Sequence, residues 1–326
     1  MSKILTYLSE ETGLSEHLVH KIAMSAPRRY KVYSIPKRTG GERIIAQPAR
    51  EVKVLQRALI SGPLSELKIH PAVMSYRAGL SILDNAKRHA GDGAILKMDF
   101  KNFFPSITGF DWRRYCRETR FLVDEADIEL TTALFFRRLG KSERLQLGIG
   151  APSSPMLSNA LMFEFDSQIQ EIVLQDKVSY TRYADDLTFS APRAGHLRDV
   201  IKNVKRVLKD LKYPKVGIND DKTVVATAKY RRNVTGLILA NDGRVTIGRY
   251  RKRILSAMIY RFKNGQLAQA QQQYLAGYLA FVATVEPEFL VKLENRYGGE
   301  VIGRIQRTII LGSKISAEVR DTMALK

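Results

Sequence analysis

The residues most suited to chemistry are two adjacent carboxylates, Asp185 and Asp186, inside Tyr180-Thr181-Arg182-Tyr183-Ala184-Asp185-Asp186-Leu187-Thr188-Phe189-Ser190. Apolar, β-branched and aromatic residues flank them, so the stretch reads as a β-hairpin with the acids at its tip. One Asp is an ordinary turn former. Neighbouring like charges repel, however, and a chain keeps such a pair where a cation or basic partner neutralises it. A third carboxylate, Asp99, closes the apolar strand pattern of residues 94–100 and is followed at once by Lys101-Asn102-Phe103-Phe104-Pro105-Ser106-Ile107. Acids at the ends of strands far apart in sequence suit a two-metal site. Hard Mg²⁺ ions take oxygen ligands, and a pair roughly 4 Å apart holds the attacking and leaving oxygens of an in-line phosphoryl displacement.

The bulk of the chain is compatible with that chemistry. Its 326 residues can bury a real core, and 44% hydrophobic content is globular. A formal charge of +20 and a pI near 10.0 point to a polyanionic partner, with nucleic acid leading and an anionic membrane as rival. No apolar run reaches membrane-spanning length and no signal peptide opens the chain, so no membrane partner and a cytoplasmic location are expected. The single cysteine, Cys116, excludes an internal disulfide, and with five histidines a zinc site is not expected.

The elements that must position the acids follow in order. Residues 1–29 read as two short helices, with Ile4, Leu5 and Leu8 on one apolar face and Leu18, Val19, Ile22 and Ala23 on the next after a Ser15 cap. Residues 30–36 and 42–48 alternate as strands around Lys37-Arg38-Thr39-Gly40-Gly41. Lys37, Arg38 and Arg43 on that hairpin could grip a triphosphate, because guanidinium forks match phosphate oxygens. Helices are expected over 51–67, 81–90, 110–119 and 125–136. A basic connection over 137–144 then leads to Gly148-Ile149-Gly150-Ala151-Pro152-Ser153-Ser154-Pro155. That loop opens a long helix over 156–173, whose amides and small residues could approach a nucleotide or template backbone. An amphipathic helix over 197–211 precedes a strand entered through 216–223, where Lys222 is a candidate general acid for departing pyrophosphate. Residues 231–238 and 245–248 form a hairpin around Asn241-Asp242-Gly243. Beyond Arg249 the pattern is helical and basic, over 250–263, 266–284, 287–297 and 299–311.

These residues, in this order, resemble the reverse transcriptases, and within them the bacterial retron type. Asp99 with 100–107 matches the first catalytic block, Gly150-Ala151-Pro152-Ser153-Ser154-Pro155 the template and nucleotide loop, and Tyr183-Ala184-Asp185-Asp186 the metal-binding box. Lys222 lies in the lysine block and 233–237 in the strand pair that grips the primer. Asn85-Ala86-Lys87-Arg88-His89 fits the Asn-Ala-x-x-His motif and Val234-Thr235-Gly236 the Val-Thr-Gly triplet, both marks of retron enzymes.

The resemblance implies an α+β right-hand polymerase without an RNase H domain. Residues 1–98 would supply N-terminal helices and fingers. Residues 99–248 would form an antiparallel-sheet palm with inserted finger helices over about 110–150, and 249–326 a basic helical, RNA-binding thumb. Asp99 and Asp185 would ligate two Mg²⁺ ions, or Mn²⁺ as a substitute, with the Phe100 carbonyl as a further oxygen and Asp186 beside the primer end. Lys37, Arg38, Arg43, Gly150 and Ala151 would hold the incoming dNTP. Phe104 would stand under its sugar and exclude a 2′-hydroxyl. Asn85, His89, Val234, Thr235, Gly236, Arg249, Arg251, Lys252 and Arg253 would serve RNA and primer. The chain departs from many relatives in carrying Ile149 where they have Gln, so that amide is missing. By the same resemblance the partners are the enzyme's own noncoding RNA (msr-msd), its branched RNA-linked msDNA started from an RNA 2′-hydroxyl, host RNase H, and an effector restrained in anti-phage defence. The alternatives are a group II intron-like or other cellular reverse transcriptase priming from a 3′ end, and a non-catalytic RNA-binding scaffold or antitoxin.

Overall fold

A computed structural model describes residues 2–37, 40–91, 93–140 and 142–308. Arg38 and Thr39 of the basic turn, Lys141 of the basic connection and the 309–311 end of the last tail helix lie outside the described residues. The chain divides into two compact units, Met1–Ser81 with Asp92–Thr227 and Ile82–Gly91 with Ala228–Lys326.

In the first unit, α1 (Lys3–Thr12) and α2 (Glu16–Ser25) are capped by the Ser2 and Ser15 side chains, which accept from the Leu5 and Leu18 amides. They bury Ile4, Leu8, Val19, Ile22 and Ala23, while Leu18 faces outward. Strands β1 (Tyr30–Pro36) and β2 (Glu42–Pro48) form an antiparallel ribbon in register from Tyr30–Pro48 to Pro36–Glu42. Helix α3 (Arg50–Ser61) stops earlier than its apolar pattern suggests, because Gly62 and Pro63 break the ladder and start a short 3₁₀ turn. The segment that begins with α4 (Ile82–Lys87) belongs to the second unit.

The chain returns as β3 (Ala94–Lys101), followed by α5 (Phe103–Ser106), α6 (Gly109–Thr119) and α7 (Glu125–Phe135). The basic connection is itself a small hairpin, β4 (Phe136–Arg138) with β5 (Leu145–Leu147). The long helix is two helices, α8 (Ser154–Leu161) and α9 (Phe163–Gln175), broken at Met162. Then come β6 (Ser179–Tyr183), β7 (Asp186–Ala191), α10 (Val200–Asp210), β8 (Gly217–Ile218) and β9 (Val224–Thr227).

Strand β3 is the centre of an antiparallel sheet. It pairs with β7 along one edge and with β8 and β9 along the other, and β6 lies beyond β7. Period-two alternation gives this sheet two unlike faces. The pairs Ala94–Ala191, Leu96–Phe189 and Met98–Leu187 share one face and are buried in the core with Phe165, Ile169 and Val173 of α9. The pairs Lys97–Thr188 and Asp99–Asp186 share the other.

In the second unit, β10 (Arg232–Val234), β11 (Leu237–Leu239) and β12 (Val245–Thr246) form a three-stranded antiparallel meander. The expected single hairpin is therefore two. Thr235 (φ +46°) and Gly236 (φ +85°) make the first turn, in which both central residues adopt positive φ. Helices α11 (Arg249–Lys263), α12 (Gln269–Val285), α13 (Pro287–Tyr297) and α14 (Gly299–Gln306) follow and bury Leu255, Leu275, Leu279, Val282, Leu293, Ile302 and Ile305. Helix α4 packs on the meander, and Thr235 Oγ1 donates to the Ile82 carbonyl at 3.2 Å. Among the described residues no helix is long and apolar enough to cross a membrane.

Candidate active site

The carboxylates meet because of strand register. Asp99 and Asp186 are direct cross-strand partners on one face, a relation that puts their Cβ atoms about 4.5–5.5 Å apart. Asp185 sits in the two-residue turn between β6 and β7, and its carbonyl accepts from the Phe100 amide at 3.0 Å. The hairpin tip is thereby docked on the end of β3.

Ala184 supplies the bend, with φ +56°. Both of its peptide groups are tied down. Its N–H donates to Ser75 Oγ at 2.8 Å, and its carbonyl accepts from Arg182 at 3.2 Å. Arg182 lies on the core face and is fully buried. Its Nε and Nη2 reach both Asp166 oxygens, with a shortest contact of 2.6 Å, and Nη1 donates to Asn159 Oδ1. Burial pulls the Arg182 pKa down, but the facing Asp166 carboxylate outweighs it and the net displacement is upward. Tyr180 donates to the same carboxylate at 2.7 Å. An ion pair beneath the sheet therefore holds the turn that presents acids above it.

Repulsion and burial act together on those acids. Burial raises the Asp185 pKa, and the Asp99 charge adds to it. Asp186 is pushed to about 6 by burial and then by Asp185, with Lys97 pulling the other way. The cluster calls for positive charge. Lys222, from the 3₁₀ turn between β8 and β9, supplies some by placing Nζ 2.9 Å from each Asp99 oxygen. Among the described residues no group of three or more His, Cys, Asp or Glu side chains is placed to hold a metal ion by itself. The donor set nevertheless fits hard cations, since carboxylate oxygens suit Mg²⁺ and its sites are usually completed by water and substrate phosphate.

A cleft of ≈ 440 Å³ in the same unit brings together Phe104, Tyr76, Gly150, Ala151, Lys53 and Arg57. The Gly148–Ser154 loop is closed by Ser154 Oγ donating to the Gly148 carbonyl at 2.8 Å and is attached to β2 through the Ala46 amide and Ile149 carbonyl, also at 2.8 Å. Gly150 has φ +113°, and a Cβ there would lie 3.2 Å from Ile45, so the close approach of loop to strand requires glycine. Lys37 and Arg43 are exposed on the β1–β2 ribbon. Tyr76 has no place in any sequence motif, yet it carries φ +57° on a bulky side chain, a strain on the order of 1–3 kcal/mol. That outlier is its only signal.

The remaining sequence-identified residues gather in the second unit. Asn85 and His89 are fully buried, and Val234 is buried beside the Thr235-Gly236 turn. Arg251 Nη1 donates to the Gly236 carbonyl at 2.8 Å, and Lys252 pairs with Glu286, which also accepts from Thr246 Oγ1 and the Ile247 amide. Arg249 and Arg253 are exposed.

Comparison with known proteins bears on this arrangement. Residues 35–272 match the family model "Reverse transcriptase (RNA-dependent DNA polymerase)". The chain is 39% identical over 280 residues to the Retron Ec83 reverse transcriptase of Escherichia coli, spanning 85% of this chain and 90% of that one. It is 30% identical to the Retron Ec86 reverse transcriptase of Escherichia coli (89% of each chain) and 30% to the Retron Mx65 reverse transcriptase of Myxococcus xanthus (89% of this chain, 69% of that one). The chain belongs to the reverse transcriptases, and among them to the retron reverse transcriptases. It is an RNA-directed DNA polymerase of the α+β right-hand fold, built from helices and antiparallel sheet.

Proposed function

We propose that this enzyme binds its own structured noncoding RNA and copies part of it into single-stranded DNA that stays joined to the RNA through a 2′-hydroxyl branch. The DNA and protein would then act with an effector in anti-phage defence, after host RNase H removes the copied RNA. The single observation that carries the catalytic part is the register of Asp99 with Asp186 under the Asp185 turn.

In this reading Asp99, Asp185 and the Phe100 carbonyl would hold two Mg²⁺ ions and Asp186 would stand beside the primer end. When bound, such ions would supply a lowered pKa at the primer hydroxyl and charge neutralisation at the triphosphate. Lys37, Arg43 and the Gly150-Ala151 backbone bind the triphosphate and orient its α-phosphate toward the primer. Phe104 excludes a ribose 2′-hydroxyl. Lys222 releases Asp99 as the site fills and gives a proton to departing pyrophosphate. In the second unit Asn85 and His89, buried under the meander, shape the Val234-Thr235-Gly236 turn. Exposed Arg249 and Arg253 neutralise RNA phosphates, which suits recognition by shape and backbone.

The test is to purify the protein with its RNA, digest with RNase and analyse the remaining nucleic acid. A small single-stranded DNA carrying a branched nucleotide is expected. Asp185→Asn with Asp186→Asn should abolish it while RNA binding stays near the wild-type level. Linear DNA without a branch would favour priming from a 3′ end, and synthesis surviving the double substitution would overturn the assignment of the acids.

A further inference from the structure

Tyr76 stands out because its neighbours are fixed and it is not buried with them. Ala72, Val73, Met74 and Ser75 are buried, whereas Tyr76 keeps 54% of its surface exposed. The segment is fastened to β6 and the turn that follows. The Arg182 amide donates to the Ala72 carbonyl at 2.9 Å, the Met74 amide to the Arg182 carbonyl at 2.8 Å and Ala184 to Ser75 Oγ, while Asn159 Nδ2 donates to the Ser75 carbonyl at 3.1 Å. These bonds hold a bulky residue in the left-handed region, which an unfastened loop would leave.

Among the described residues Tyr76 joins no ring pair and its hydroxyl has no hydrogen-bond partner. The ring instead lines the cleft that also holds Phe104 and Gly150. Its hydroxyl lies in the field of both halves of the site. After burial, Asp185 and Tyr183 raise its pKa while Arg43 lowers it.

We propose that Tyr76 is a nucleotide-binding residue of polymerisation, a second aromatic wall beside Phe104 whose hydroxyl donates to the sugar–triphosphate of the incoming deoxynucleotide. This rests on the reading of Asp99, Asp185 and Asp186 as the reacting centre. The fastening through Ser75 ties the wall to the same turn that presents Asp185, so nucleotide and acids share one frame.

The experiment is steady-state extension on the RNA-bound enzyme with each dNTP varied. Tyr76→Phe removes one oxygen and keeps the ring, and the KM for dNTP should rise about tenfold with kcat within about twofold, the loss expected for a hydrogen bond to a charged group. Tyr76→Leu should raise KM further through loss of the flat wall. Arg43→Ala, run in parallel, shows that the assay registers a weakened triphosphate contact. A Tyr76→Phe enzyme with unchanged KM, or with reduced kcat at unchanged KM, overturns the inference while leaving the acid assignment in place. Synthesis by Asp185→Asn would instead remove the reading on which it rests.

Discussion

The buried pair of Arg182 and Asp166 offers the most searching test of how this site is held. Removing one partner leaves an uncompensated charge in the core, at about 3–5 kcal/mol, whereas replacing both by apolar residues of similar size comes close to neutral. Arg182→Met and Asp166→Leu should therefore each lower unfolding free energy by several kcal/mol. The double variant should recover most of that, giving a coupling of at least about 2 kcal/mol in denaturant titrations. Function should part from stability. The double variant still lacks the Arg182 donor to the Ala184 carbonyl and the Asn159 contact, so the Asp185 turn loosens. A displacement on the order of 1 Å in a reacting group costs about 100-fold, and a kcat reduced at least tenfold is expected from the refolded double variant. Additive single effects, within about 0.5 kcal/mol, would refute the coupling. A stable double variant with full kcat would refute the claim that the pair positions the turn.

Phe104→Ala should raise ribonucleotide incorporation relative to deoxynucleotide by about tenfold or more, read from kcat/KM for matched substrates; unchanged selectivity would remove Phe104 from the sugar gate. Burial, aided by Arg88, holds the His89 pKa down at about 4. An unfolded histidine titrates near 6.5, so between those values the unfolded chain binds more protons and stability falls as the pH is lowered. From about pH 7.5 to about pH 5 the His89 contribution should decline by about 2 kcal/mol. The unfolding free-energy difference between wild type and His89→Gln measures it, and a difference that does not change with pH would refute it.

What the sequence could reveal about this molecule followed the range of each physical signal. The local apolar pattern put Asp99 in a strand, which runs two residues beyond it to Lys101, and Asp185 and Asp186 at a hairpin tip. The meeting of Asp99 with Asp186 is a register between distant strands, and ordered motif blocks supplied it where periodicity could not. Arg182 shows the opposite case. Within a basic chain one more arginine beside an acidic turn reads as solvated, and Asp166 reads as an ordinary helix position. Only the core face of β6 packed on α9 turns them into a buried clamp. The break at Met162 carries no glycine or proline and its apolar residues continue across it, so the periodic pattern reads through. Residues 136–147 were hidden for a compositional reason, since arginines and lysine mask a hairpin whose strands are three residues each. Tyr76 is the sharpest instance. Its significance lies in a backbone angle and four hydrogen bonds made by its neighbours to residues far along the chain, and a side chain identified by how its backbone is constrained leaves no trace in composition, spacing or motif.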